Sequence, residues 1–309
     1  MATTTEPRTT APHEGDAPPA GALRRRLAER GVDRGLLLLL PAVVVIGALF
    51  VYPFLYGVSI SFQPLQGGGP LANYAEFFGS AYQRDSILKT LRLAVPVAVV
   101  AVLLATPLAY QLRRDFPGRG AVVLVLMLPI TFGSVLVAQG MTRVFSTYGW
   151  VNLLSGALGL GEHQYIYNYW GTFIAGVLTT LPLSFLLLMG FFGGISPSLE
   201  HAAATLGAGR AARFWRITLP LALPGIVTVF TLALVEAFAI FPSAILVGEP
   251  DNATHVLTLP IYQAASQRSD YPAASAIAVV MTVLEVVLLV VLFAVRDRLF
   301  RGTSSGGKG

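Results

Sequence analysis

The sequence predicts an all-α polytopic membrane protein with six transmembrane helices, and three observations carry that expectation. Of 309 residues, 54% are hydrophobic and only 12% are charged, whereas about a quarter of an average soluble domain is charged. Mean hydropathy is +0.68. Six stretches are each long and apolar enough to cross a hydrocarbon core, which takes roughly 20 residues. The basic residues fall in short clusters beside those stretches, where topology signals sit.

The elements follow in chain order. Residues 1–20, "MATTTEPRTTAPHEGDAPPA", hold almost no large apolar side chain and cannot offset the entropy of ordering. With the basic run behind them they are expected to form a flexible cytoplasmic tail over 1–34. The apolar stretch that follows is longer than a signal-peptide core and has no convincing cleavage site, so it reads as an uncleaved span. Spans are expected over 35–58, 90–112, 120–143, 169–193, 221–247 and 273–295, within a membrane domain covering 35–300. Lipid offers backbone groups no partners, so each span must be a helix. Pro96, Pro107, Pro129, Pro182 and Pro242 interrupt the second to fifth and permit bends. Residues 301–309 read as a short flexible tail.

Orientation follows from lysine and arginine. Arg24, Arg25, Arg26, Arg30 and Arg34 precede the first span, Arg113, Arg114 and Arg119 join the second to the third, Arg210, Arg213 and Arg216 precede the fifth, and Arg296, Arg298 and Arg301 follow the sixth. Basic residues favour the cytoplasmic side, so both termini are expected inside, in a bacterial cytoplasmic membrane. Residues 144–168 and 248–272 then become outer loops. Trp150, Tyr165, Tyr167, Tyr169 and Trp170 in the first of them read as interfacial anchors. Residues 194–220 become the longest inner connection.

That connection, "SPSLEHAAATLGAGRAARFWRITLP" over 196–220, has a pattern of its own. Ser196 reads as an N-cap with Pro197 at the first helical position. Good helix formers follow as far as Gly207, where a glycine turn should end the helix. A second short helix is expected over "RAARFWRITL", with Pro220 beginning the return into the membrane. Local physics alone fits an amphipathic linker equally well, its arginines snorkelling to phosphates while Phe214 and Trp215 dip inward.

The segment resembles the EAA signature of binding-protein-dependent ABC importer permeases: Glu-Ala-Ala, three residues, Gly, nine residues, then Ile-x-Leu-Pro. Ala202 and Ala203 are followed by three residues and Gly207, then by nine residues and Ile217-Thr218-Leu219-Pro220. His201 departs from the pattern at the glutamate position, and Glu200 stands one residue earlier, about 100° around a helix. "LLLLPAVVVIGALFVYPFLYGVSISF", "PGRGAVVLVLMLPI" and "TLPIYQAASQRSDYPAASAIAVV" look similar to permeases of the polyamine, iron, phosphonate and thiamine cluster. The resemblance runs over roughly residues 36–300. It implies a type I ABC importer permease fold in which this loop is a coupling helix docking on a separate ATPase. Glu200, His201, Ala202, Ala203, Gly207, Arg210, Ile217, Leu219 and Pro220 would form the contact. The implied partners are ATPase subunits, a second permease or a second copy of this chain, an extracytoplasmic solute-binding protein and the bilayer.

Several classes fall away on residue types. The chain has no cysteine, hence no disulfide or thiolate chemistry. It carries no phosphate-cradling GxxxxGK[ST] loop, so ATP hydrolysis would have to lie on another subunit. His13, His163, His201 and His255 are scattered, without an HExxH pattern, and give no enzyme, metal or cofactor reading. No nucleic-acid partner is implied by basic clusters of this kind. Intramembrane carboxylates are costly and are functional candidates by default. Glu236 and Glu285 are therefore expected on the solute path, with Phe241 beside the first. Two acids and no central base favour a cationic solute such as a polyamine, spermidine or putrescine, with iron, phosphonate, thiamine or a sugar as alternatives. A gradient-driven secondary transporter using the same acids also explains the missing ATP site, though not the spaced Gly and Ile-x-Leu-Pro.

Overall fold

A computed structural model describes residues 34–161 and 163–300, divided into two compact units between Tyr56 and Gly57. The tails expected over 1–34 and 301–309 lie outside it, apart from the helical backbone of Arg34. Among the described residues, six helices are long and apolar enough to cross a membrane. All regular structure described is helical.

The first unit is one helical run. Arg34–Ile46 is α-helical, Gly47–Val51 widens into a π turn, and a helix resumes at Tyr52. The Tyr52 N–H closes the wide turn on the Gly47 carbonyl, one residue before Pro53. A proline donates no hydrogen bond and crowds the carbonyl four residues back, and a π turn is one way for a helix to absorb that misfit.

In the second unit the second span, Ala81–Leu112, is the hub. Its 32 residues measure about 48 Å at 1.5 Å each, so it extends well past a roughly 30 Å core. It begins nine residues before the expected position because Gln83, Arg84, Asp85 and Lys89 are too polar for a hydropathy reading. Ala94, Ala98, Ala101, Ala105 and Ala109 are all buried along one stripe, the small-residue surface that lets membrane helices approach closely. Onto it pack Phe185, Leu188 and Phe192 of the fourth span, Tyr169–Gly193, and Val229, Ala233 and Ala237 of the fifth. Contact is close at Gly176, where a Cβ would lie 2.8 Å from Ile240 and 3.1 Å from Val97. Several hydroxyls inside this core bond back to their own helices, as Thr106 does to the Val102 carbonyl at 2.7 Å, whereas the Tyr110 and Thr180 hydroxyls are buried without a partner.

The third span, Arg119–Phe145, breaks its helical geometry at Gly133, with φ 72° and ψ 167°. The break falls four residues after Pro129. Its side chains are largely exposed, Leu124 at 65% and Val125 at 63%, as a face turned to lipid requires. A short helix, Trp150–Ala157, follows. Asn152 ties it down, donating to the carbonyls of Ser146 at 3.0 Å and His163 at 2.9 Å.

The fifth span differs from its expected range. The helix ends at Phe238 rather than near 247, and a separate turn of helix, Pro242–Leu246, follows. Pro242 has no N–H to give the carbonyl of Phe238, so the chain stops there and restarts with proline in the first turn. Residues 248–272 are more ordered than a plain loop: Thr258–Tyr262 is helical and runs into a π turn, Gln263–Gln267. The Leu257 N–H donates to Thr90 Oγ1 at 2.8 Å, and His255 is wholly buried beneath Tyr82, ring centroids 4.0 Å apart. Burial pushes the His255 pKa down. The sixth span is Tyr271–Phe300.

Candidate functional site

The patterned segment folds as two helical pieces. Pro197–Thr205 forms the first, preceded by Ser196 in an extended conformation. The Ser196 hydroxyl makes no backbone cap and bonds Ser198 Oγ at 2.8 Å instead. The far end closes with two bonds, the Gly207 N–H to the Ala204 carbonyl and the Ala208 N–H to the Ala203 carbonyl, both 3.0 Å. That is the Schellman pattern. It puts Gly207 at φ +83° with open space where a Cβ would stand, so glycine is required here by backbone conformation and not by crowding.

Arg210–Arg213 begins the second piece, and Phe214–Thr218 continues it as a π turn. The second short helix expected over "RAARFWRITL" does not end ahead of the fifth span at Pro220. The Leu219 N–H reaches back to the Phe214 carbonyl, and the helix passes through Pro220 into the fifth span without interruption, Arg210–Phe238. The wide turn just before a proline repeats the arrangement at Pro53. Ile217 and Leu219 are half-buried and Pro220 is exposed.

Glu200 is the centre of the segment. It is only 4% exposed. Its carboxylate pairs with Arg113, with Arg114 at 3.4 Å, and accepts from Thr218 Oγ1 at 2.5 Å; Arg213 reaches its backbone carbonyl at 3.5 Å. Burial alone would push this carboxyl up. The hydrogen bonds from Thr218 and Arg113 and the charges of Arg113 and Arg114 outweigh burial and hold it below the usual carboxylate range. The Arg113 guanidinium also lies 4.5 Å above the Tyr110 ring, which packs against Phe214 at 4.7 Å. One side chain thus joins the Pro197–Thr205 helix to the end of the second span and the start of the fifth.

The neighbouring residues face outward. His201, Ala202, Ala204 and Thr205 are exposed, Ala203 is half-buried, and Leu206 is 88% exposed at the tip. Glu200 and His201 therefore have separate tasks, one turned into the chain and one away from it. Reading by residue type missed Arg113, Arg114 and Thr218 as partners of Glu200, and missed the apolar tip at Leu206. The two arginines were visible only as a topology signal, 87 and 86 residues from Glu200.

The membrane candidates are not gathered into one site. Glu236 is half-buried in the fifth span, its Oε2 enclosed and without a hydrogen-bond partner. Phe241 lies in the break after that span, its ring 5.0 Å from Tyr262. Glu285, half-buried in the sixth span, lines a small crevice with Leu234, Val235 and Phe238. No group of three or more acidic or histidine side chains that could hold a metal is found among the described residues.

Residues 35–305 match the family model for the binding-protein-dependent transport system inner membrane component. A thiamine transport system permease protein of Brucella abortus (strain 2308) is 30% identical over 255 residues, covering 78% of this chain and 46% of the relative. A ferric transport system permease protein of Actinobacillus pleuropneumoniae is 26% identical over 261 residues, 82% of this chain and 37% of the relative. This chain therefore spans about half or less of those two. A probable ABC transporter permease of Brucella abortus biovar 1, 26% identical, is matched over 96% of its length and 84% of this chain. In fold, the chain is similar to a bacterial ABC transporter involved in import of the acidic polysaccharide alginate, with TM-score 0.76 at 21% identity over 90% of this chain and 99% of the other. The same fold was matched, at TM-score 0.76 and 22% identity over 89% of this chain and 98% of the other, in that alginate transporter in complex with a periplasmic protein carrying an alginate pentasaccharide. Six apolar spans in this fold, with the family match over most of the chain, make this protein a multi-pass membrane protein and a member of the binding-protein-dependent transport system inner membrane component family.

Proposed function

We propose that this chain forms the solute path of an ATP-driven importer for a small cation, with hydrolysis on separate ATPase subunits. The observation that carries the reading is the Glu200 knot. A helix fastened by a buried ion pair to the end of the second span and by a buried hydrogen bond to the start of the fifth transmits force when its outer face is gripped. The exposed face, His201, Ala202, Ala204 and Leu206, is small enough for a partner groove to approach closely. It meets the ATPase on the cytoplasmic side, where both termini also lie. A second permease, or a second copy, completes the path, and an extracytoplasmic binding protein delivers the solute.

The cation rests on Glu236, whose enclosed oxygen lacks a partner and is suited to a positive group passing the fifth span. Thiamine and ferric ion, named for the relatives above, are both cationic. Those relatives lend no particular support to a polyamine, and spermidine or putrescine stays a member of the same charge class. Uptake of labelled thiamine, ferric ion and spermidine by cells carrying the intact transporter tests the reading. It is expected to stop on ATP depletion and to survive an uncoupler. Uptake with the opposite dependence would assign a gradient-driven transporter instead.

A further inference from the structure

Beside the Glu200 knot lies a cavity of about 510 Å³ with an unusual wall. Arg113, Arg114, Arg210 and Arg213 face one carboxylate, that of Glu200, with His201 at the rim. The wall therefore carries an excess of positive charge that Glu200 does not neutralise. Arg213 Nε is buried without a hydrogen-bond partner, while its Nη1 donates to the Glu200 carbonyl at 3.5 Å. Buried cationic donors without partners are costly and favour an anion.

A second cavity, about 290 Å³, shares Arg210 and has a different character. Apart from Arg210 and Gln111 its wall is largely apolar: Pro107, Tyr110, Ala211, Phe214 and Trp215. Trp215 is 66% exposed, at the junction of the inner loop with the fifth span, where amphipathic aromatic rings settle between water and lipid. A charged chamber thus lies beside a largely apolar slot, with Arg210 in the wall of both.

We propose that these joined cavities bind one anionic phospholipid of the surrounding bilayer. Arg210, Arg213 and Arg114 hold its phosphate, and its glycerol and upper acyl segments lie against Pro107 and Trp215. A soluble phosphate would satisfy the arginines equally well but has no use for the apolar slot, and Arg210, which lines both chambers, is the group a single lipid would share between them. The proposal does not depend on what the chain transports, and it concerns the chain free of ATPase, since Arg210 and His201 also belong to the proposed docking face.

The test is native mass spectrometry of the full chain, purified in mild detergent and offered phosphatidylglycerol or phosphatidylcholine. The expected result is preferential retention of phosphatidylglycerol. Arg210→Gln should weaken retention roughly fivefold, the effect of one basic residue near an anionic surface, and Trp215→Ala should weaken it too. Arg216→Gln, an exposed arginine outside both cavities, should leave it unchanged. Excess inorganic phosphate should displace little lipid. Equal retention by Arg210→Gln and the parent chain, with matching thermal melts, would overturn the site. Equal loss in Arg210→Gln and Arg216→Gln would reduce it to general surface charge. Displacement by inorganic phosphate, or indifference to Trp215→Ala, would overturn the lipid as the ligand.

Discussion

Glu200 on the inner loop and Glu236 in the fifth span are both withdrawn from water, and they are treated in opposite ways. Glu200 has two arginines and a threonine hydroxyl on its carboxylate. Glu236 has an enclosed oxygen with none. A carboxylate surrounded by such donors is a fastener, because removing it leaves the donors stranded. One without partners costs free energy to keep, and a chain retains it where something outside the fold supplies the missing contact. On the present account that something is the solute. The loop and the span therefore divide the work into transmission and passage.

The largest effect should come from breaking the fastener. Glu200→Ala strands Arg113 and should cost about 3 kcal/mol, the low end for breaking a buried pair, since Arg114 is partly exposed. Thermal unfolding of the purified chain measures it. Gly207→Ala should cost about 1–2 kcal/mol from a left-handed backbone alone, read from the same melt, because no neighbour crowds the site. Acid offers a graded version of the first change. The Glu200 pKa is lowered from its ordinary 4.5 when folded, so its contribution is present in full above that value and fades as pH falls below it. Melts of Glu200→Gln and the parent chain should then converge toward low pH.

Glu236→Gln should separate the two regions. It should leave stability within about 1 kcal/mol of the parent while abolishing uptake at normal abundance; normal uptake would remove Glu236 from the path. The smallest shift is expected for His201→Glu, an exposed change within about 0.5 kcal/mol.

The six spans were legible because lipid imposes one rule, a long apolar helix, that hydropathy reads directly. Their ends were less so. The second span starts among Gln83, Arg84 and Asp85, polar residues on a helix that projects past the hydrocarbon. The fifth stops at Phe238 although "AIFPSAILVG" stays apolar, since the lost hydrogen bond at Pro242 does not register in hydropathy. In the loop, Pro197 and Gly207 announced the first helix because capping is local chemistry. The partners of Glu200 could not be read, because Arg113 and Arg114 come from another inner connection and meet it only through packing. Pro220 misled for a related reason: a π turn upstream absorbs the proline that looked like a boundary.

The central claim is that Glu200 holds the loop to the chain while the face beside it receives the ATPase. Co-purification of the ATPase subunits with Ala202→Trp tests it most directly, because Ala202 is exposed. The account predicts that the thermal melt is unchanged and the ATPase subunits are lost. ATPase retained at parental stoichiometry would contradict it.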